Sequence, residues 1–206
     1  MVSPFKDGRL RARFRVAVRD SLLEAAERAI VEEGVEGASL LSIAKRAGVA
    51  VGTIYNHFHD RQELFHELFT QRKSELVSKV DAEMKTWADA GFEEQLGKFA
   101  TLLLSHWDSR REFMRVVLAS EPLRLQMMCD KSGRLRTLGN ELQARLERVM
   151  RAGVREKRVR EPEIALLATV FMSILRGVLL ARIDDKENLA DSAPRTVEMF
   201  CHGALR

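Results

Sequence analysis

Apolar residues recur along nearly the whole chain at spacings of three and four, the period of helices with one covered face. The first run spans 16–33, with Leu23, Ala26, Ala29 and Ile30 turned inward and Glu24, Glu27, Arg28 and Glu32 turned to water. Gly34 predicts its end and Gly37 the turn that follows. Two short helices come next. Ser39 stands as an N-cap ahead of Leu40, Ile43, Ala44 and Ala47, and Gly48 follows where a helix ends in a left-handed residue. From Val51 to Phe58 a second short helix is expected, with Ile54 and Phe58 one turn apart on its covered side. Asp60 with Glu63 three residues on has the form of a capping box. It opens a helix carrying Leu64, Phe65, Leu68, Phe69, Leu76, Val80, Met84 and Trp87. Continuous to Trp87, that helix is roughly 40 Å long.

Beyond it the periodicity continues without a motif of its own. Phe92 to Trp107 and Arg110 to Ser120 read as helices, and Glu121-Pro122 ends the second because proline excludes the helical conformation of the residue before it. Leu123 to Lys157 carries Leu135, Leu138, Leu142, Leu146 and Val149 at helical spacing. Pro162 suits a helix start, Ile164 to Ile183 is apolar nearly all round, and a last helix runs from near Pro194 to Leu205. The predicted fold is all-α, with an N-terminal arm and three-helix helix-turn-helix domain over 1–61 and a C-terminal helical domain over 62–206.

The pair of short helices carries the chemistry. Ala44, Ala47 and Gly52 are small enough to let the two cross closely, while Thr53, Tyr55, Asn56 and His57 give the second one a polar outer face. An ordinary helical hairpin needs no such face; a helix-turn-helix that enters a DNA groove does. On this reading Val51, Thr53 and Asn56 stand nearest base edges. Tyr55, His57, Arg61 and the Ser39 region hold phosphates, which position the protein without reading sequence. One such unit reads only a few base pairs, so a two-fold dimer on an inverted repeat of double-stranded DNA is expected, with half-sites one helical turn apart.

From Leu22 to Leu68 the stretch LLEAAERAIVEEGVEGASLLSIAKRAGVAVGTIYNHFHDRQELFHEL resembles the N-terminal domain of the tetracycline-repressor (TetR-type) family. The matching motifs are the helix ending in EEGVEGAS, then SIAKRAGVAVGTIYNHF, then the link into DRQEL. Two positions depart from the family pattern. Ala50 replaces a frequent capping serine, so its contact falls to backbone N–H groups, and Arg61 replaces a common lysine with the charge kept. The resemblance implies a repressor released from its operator by a small molecule, with the helix after Asp60 as the lever. It also implies a homodimer built from the last two helices of each subunit.

Composition narrows the field. The chain has 206 residues, 46% hydrophobic and 31% charged, which describes a globular protein. A net charge of +4 and a pI near 9.3 permit a polyanionic partner. Lys6, Arg9, Arg11, Arg13, Arg15 and Arg19, opposed only by Asp7, form a basic arm that either is solvated or lies against DNA. No apolar run is read as long enough to span a bilayer, and no leader opens the chain, so a cytoplasmic protein without membrane contact is expected. The two cysteines, Cys129 and Cys201, lack metal spacing and are expected as free thiols.

Bulky or adaptable side chains in the C-terminal helices are the candidates for an apolar effector pocket: Phe99, Leu103, Trp107, Phe113, Met114, Val117, Met128, Leu138, Phe171 and Leu175, with Met127 and Met172 beside them. Arg176 or His106 would supply a polar contact. Phe171, Ile174, Val178, Val197, Phe200 and Cys201 are the candidate dimer contacts. His59, Glu63 and His66 share a helix face, but a solvated helix start accounts for them, and no metal is expected. Cys129 as an oxidation sensor lacks an assured cationic neighbour. There is no glycine-rich phosphate loop, serine elbow or paired carboxylate, so neither an enzyme nor a cofactor is expected. The competing readings are a helix-turn-helix protein controlled by a protein partner and a helical enzyme with an accessory DNA reader.

Overall fold

A computed structural model of the chain describes residues 8–120 and 134–203, with side chains for 10–120 and 140–203. Lys6, Asp7, the Arg9 side chain, Met127, Met128, Cys129, the Leu135 and Leu138 side chains and Leu205 lie outside the described residues. There are nine α-helices among the described residues: α1 (Gly8–Gly37), α2 (Leu40–Ala47), α3 (Val51–Tyr55), α4 (Arg61–Thr86), α5 (Phe92–Asp108), α6 (Arg111–Ala119), α7 (Arg134–Arg155), α8 (Ile164–Arg182) and α9 (Ala193–His202). Short 3₁₀ turns at Glu161–Glu163 and Leu189–Ser192 lead into α8 and α9, with Pro162 inside the first turn and Pro194 at the start of α9. Two compact units result, Met1–Gln71 and Arg72–Arg206.

In the first unit α1 begins at Gly8, eight residues before the apolar run predicted. From Gly8 on, the basic segment taken for an arm is therefore the opening turns of a helix. Arginine and alanine are good helix formers, and nothing from Gly8 to Arg19 breaks the backbone pattern. Gly34, at φ 71° and ψ 173°, breaks α1 where the sequence placed its end. Leu22, Leu23, Ala26, Ala29 and Ile30 are enclosed together with Ile43, Ala44, Ile54, Phe58, Leu64 and Leu68. The start of α4 is capped twice: Asp60 Oδ1 accepts the Glu63 N–H at 2.8 Å, and the Glu63 carboxylate accepts the His59 N–H. The second bond reaches one residue further back than a simple capping box.

The second unit has one core in which α5 is central. Leu96, Phe99, Ala100, Leu103 and Leu104 have no accessible surface, and Leu146, Val149 and Met150 of α7 and Phe171 and Leu175 of α8 are closed around them. Gln95 is enclosed but satisfied, its amide donating to the carbonyls of Ala88 and Ala90 at 3.2 and 2.7 Å. Asp81 of α4 receives Arg145 of α7 in a two-point pair, at 3.0 and 2.6 Å, and Arg148 at 3.0 Å. Carboxylate–guanidinium pairing of this kind holds Asp81 below its ordinary pKa, chiefly through Arg145.

The segment Glu161–Arg182 is long and apolar enough to cross a membrane, by length and composition alone, contrary to the expectation that no run reaches that length. Only 33% of its most apolar window is enclosed. Its uncovered side carries Leu166, Val170 and Leu180, at 64%, 41% and 58% exposure. Ser173 and Gly177 complete that row at spacings of four and three.

Candidate nucleic-acid interface

The geometry of the reader is set by two local devices. Ser39 Oγ accepts the Ser42 N–H at 3.1 Å, satisfying a free donor at the start of α2. Gly48 then takes a left-handed conformation, φ 69°, and its N–H together with that of Val49 returns to the carbonyls of Lys45 and Ala44. The chain is thereby turned so that α3 crosses α2, with Val49 in the turn as an apolar plug. Arg46 fastens α2 to the end of α1. Its guanidinium donates to Glu32 at 2.6 Å and, through Nε, to Glu33 at 3.0 Å. Glu33 is held below the usual carboxylate range by Arg46 first and by Ser42 second.

The α-helical part of α3 is only Val51–Tyr55, shorter than the expected Val51–Phe58. Asn56 and His57 form the turn after it, because the N–H groups of both His57 and Phe58 bond the Ile54 carbonyl at 2.8 Å. Ala50 precedes the helix with extended geometry and no side-chain cap, so the missing serine leaves the start uncapped by a side chain. Ile54 and Phe58 are enclosed. Tyr55, at 59% exposure, Asn56 and Ala50 face water, and Val51, Thr53 and His57 are half-buried around them. The eight residues named for DNA contact thus all lie in the first unit, on or beside α3 or at the ends of α2 and α4.

Arg61 and His57 differ from the simple picture of free phosphate clamps. Arg61 Nη1 donates to the Glu36 carbonyl at 3.2 Å, and its guanidinium lies 5.2 Å from the centre of the Phe65 ring. Its position is therefore fixed, with part of the guanidinium left to solvent. His57 is pushed below its ordinary pKa by burial first, then by the nearby charges of Arg15 and Arg19. At neutral pH it is an uncharged hydrogen-bonding group, not a cation. Arg19 itself pairs with Glu67 and lies 5.7 Å from the centre of the Phe58 ring.

A groove of about 450 Å³ lies beside α3, walled by Phe14, Arg15 and Val18 of α1 on one side and by Thr53, Asn56 and His57 on the other. Of these six, only Thr53, Asn56 and His57 were expected from the sequence at the DNA-reading face. The signal was present in the basic run, yet only a helical α1 carries Phe14, Arg15 and Val18 to the reading face.

The residues named for an effector pocket lie elsewhere. Phe99, Leu103, Val117, Phe171 and Leu175 have no accessible surface, so no void of water size touches them; Phe113 is nearly closed, and Trp107 and Met114 are half-buried. Met128 and the Leu138 side chain are outside the described residues. A larger cavity, about 700 Å³, is an open groove between α4 and α5, with Lys79, Glu83, Trp87, Lys98 and Leu102 among its walls. None of the eight of the ten named residues whose side chains are described lines it.

Of the named dimer contacts, Phe171 is closed inside its own core, where Phe200 meets it edge-on at 4.8 Å. Val197 is nearly enclosed, and Ile174, Val178, Phe200 and Cys201 are half-buried. Burial pushes the Cys201 thiol up, away from reactivity. Glu63 serves as the cap described above, and among the described residues no group of three His, Cys, Asp or Glu side chains could hold a metal ion.

Residues 22–68 match the family described as bacterial regulatory proteins, tetR family. The fatty acid metabolism regulator protein of Bacillus subtilis (strain 168) is 32% identical over 69 residues, 34% of this chain and 36% of that protein. The chain thus spans about a third of that relative's length. A longer match, 26% identical over 169 residues, is to the nucleoid occlusion factor SlmA of Escherichia coli O1:K1 / APEC, covering 78% of this chain and 80% of the relative. Among solved structures, the transcriptional regulator FadR from Bacillus subtilis in complex with stearoyl-CoA superposes with a TM-score of 0.75 at 18% identity, over 90% of this chain and 99% of that one. At that identity the likeness speaks for the fold.

Proposed function

We propose that this chain, TetR-type by the match over residues 22–68, is a sequence-specific DNA-binding transcriptional repressor that acts as a homodimer and is released by a small apolar ligand. The observation that carries the reading is the division of α3: Ile54 and Phe58 anchor it, while Tyr55 and Asn56 stand out unburied from a helix too short to serve a core. Recognition helices of two subunits enter successive major grooves, with Val51, Thr53 and Asn56 at base edges and Ser39, Ala50, Tyr55, His57 and Arg61 along the backbone. The second subunit docks on the uncovered row Leu166, Val170, Ser173, Gly177 and Leu180 of α8. There Ser173 and Gly177 permit close approach, and the larger residues supply burial. Ile174, Val178, Phe200 and Cys201 flank that row. The protein works in the cytoplasm, on an inverted-repeat operator.

The effector acts by binding better to a dimer whose readers are wrongly spaced; a preference of about 5.5 kcal/mol makes the switch nearly complete. Since the structural neighbour FadR is bound to stearoyl-CoA, acyl thioesters are the first compounds to screen by thermal shift. The closed packing of Phe99, Leu103, Phe171 and Leu175 favours a second reading, a regulator that uses no small molecule. A ligand that raises the melting temperature and lowers operator affinity decides for the first.

The test of the DNA reading is selection of bound duplexes from a random pool, followed by sequencing. An enriched inverted repeat, bound with affinity that falls steeply between about 50 and 200 mM salt, is the expected result. No enrichment by a folded, dimeric and ligand-free protein overturns it.

A further inference from the structure

The opening turns of α1 carry Arg11, Arg13, Arg15 and Arg19 with no acidic residue among them. Arg11, Arg15 and Arg19 are four residues apart, so their side chains form one row along the helix, stepping about 6 Å. Among the described residues Arg19 is ion-paired, with Glu67, while no ion pair involves Arg11, Arg13 or Arg15. Like charges at this spacing oppose the helix by roughly 0.2–0.5 kcal/mol per pair. An anion on this face would relieve that repulsion at Arg11 and Arg15. Arg15 of the row is also a wall of the groove beside α3, opposite Asn56 and His57, and Phe14 stands 70% exposed at its mouth.

We infer that the groove between α1 and α3 seats one backbone phosphate of duplex DNA, held by Arg15 on one wall and His57 on the other. The inference rests on the DNA-binding reading above and deepens it, replacing a flexible arm with a rigid helical second contact. Arg15 supplies a permanent charge and two-point geometry suited to a phosphodiester. Asn56 and Thr53 add neutral donors. The charged groups facing His57 are Arg15 and Arg19 of α1, with Glu67 of α4 paired to Arg19; Tyr55, His59, Asp60 and Arg61 are its titratable neighbours in sequence. In the free protein burial first, and then this cationic surrounding, hold the imidazole below its ordinary pKa. A phosphate in the seat offsets both arginines and favours the imidazolium, so DNA binding takes up a proton. By linkage, affinity rises as pH falls from the bound-state to the free-state pKa of His57 and levels off below it.

The experiment uses the full chain and the duplex it selects from the random pool. Binding is measured by fluorescence anisotropy across salt concentration and from pH 8 to pH 5.5, for the wild type, Arg15→Gln, Arg15→Lys and His57→Gln. Circular dichroism checks that each variant is folded. The wild type tightens as pH falls, roughly tenfold per reader for each pH unit by which phosphate raises the imidazole. His57→Gln flattens this profile. Arg15→Gln lowers the slope of log affinity against log salt by about 0.9 per reader, and Arg15→Lys restores it. A wild-type salt slope in Arg15→Gln, or a wild-type pH profile in His57→Gln, overturns the seat while the DNA reading stands. A wild type that binds no duplex overturns both.

Discussion

The two compact units handle a hydrophobic helix in opposite ways. In the first, α3 has five residues; with Ile54, and Phe58 just beyond it, enclosed, Tyr55 is left exposed and Val51 and Thr53 only half-covered. In the second, α8 has 19 residues and is apolar nearly all round, so a core side and a partner side look alike along the chain. Val170 is 41% exposed and Phe171, its neighbour, is closed completely. A short helix with few anchors declares its working face, whereas a long one with a surplus of anchors conceals it.

The largest effect is expected at α8. Replacing both Val170 and Leu180 by Asp should yield monomers in sedimentation velocity and reduce operator affinity by the 10²–10⁴-fold that linked half-sites confer. If the double variant stays dimeric, the partner face lies elsewhere and the uncovered row of α8 has lost its explanation. Phe171→Ala, by contrast, should cost stability without setting the oligomeric state.

Core truncations sharpen the contrast at the next level. Phe58→Ala and Phe99→Ala should each cost about 3–5 kcal/mol, because each removes a ring with almost no accessible surface. Both tryptophans, Trp87 and Trp107, belong to the second unit, so their fluorescence reports that unit alone. In urea, Phe58→Ala should lower the midpoint seen by circular dichroism and leave the tryptophan transition in place, while Phe99→Ala should move the tryptophan transition. A common shift for both variants would show that the 26-residue α4, which runs through the boundary at 71/72, makes them one cooperative body.

Effects on the reading face should be smaller and divided by role. Asn56→Ala is expected to relax discrimination at one base pair by about 1–3 kcal/mol. Tyr55→Phe and Arg61→Ala should weaken all sequences alike, as phosphate contacts do. Repeating the duplex selection with each variant separates the two patterns. If Tyr55→Phe changes the selected sequence, its hydroxyl reads a base.

The smallest effect lies in the second unit, at Asp81. Its carboxyl is held below the usual range by Arg145 and then Arg148, so the folded state binds its proton less readily than the unfolded chain. The stability it contributes is present above the ordinary carboxylate pKa of about 3.9 and is lost as pH falls through the lower folded value. Asp81→Asn should therefore lower the urea midpoint at pH 7 and converge on the wild type in strong acid. Equal differences at both pH values would mean that the asparagine disturbs packing and not charge.

Features that depend on near neighbours in the chain were legible before any tertiary contact was known. Ser39, Gly34, Gly48, Asp60 and Glu63 are stops and caps whose partners lie within about five residues, and each appears where the sequence put it or one residue away. The all-helical fold followed from the same short-range rules, as did Tyr55 and Asn56 of the expected outward set Thr53, Tyr55, Asn56 and His57; Thr53 and His57 are half-buried. Tertiary structure alone decided which side of α8 is covered, that Phe99 and Leu175 fill a core with no void against them, and that Phe14 and Arg15 stand across from His57. It also decided that His57 is neutral, because burial and two arginines from another helix act on it. Periodicity specifies that a face is buried, but not against what; that depends on contacts between residues far apart in the chain.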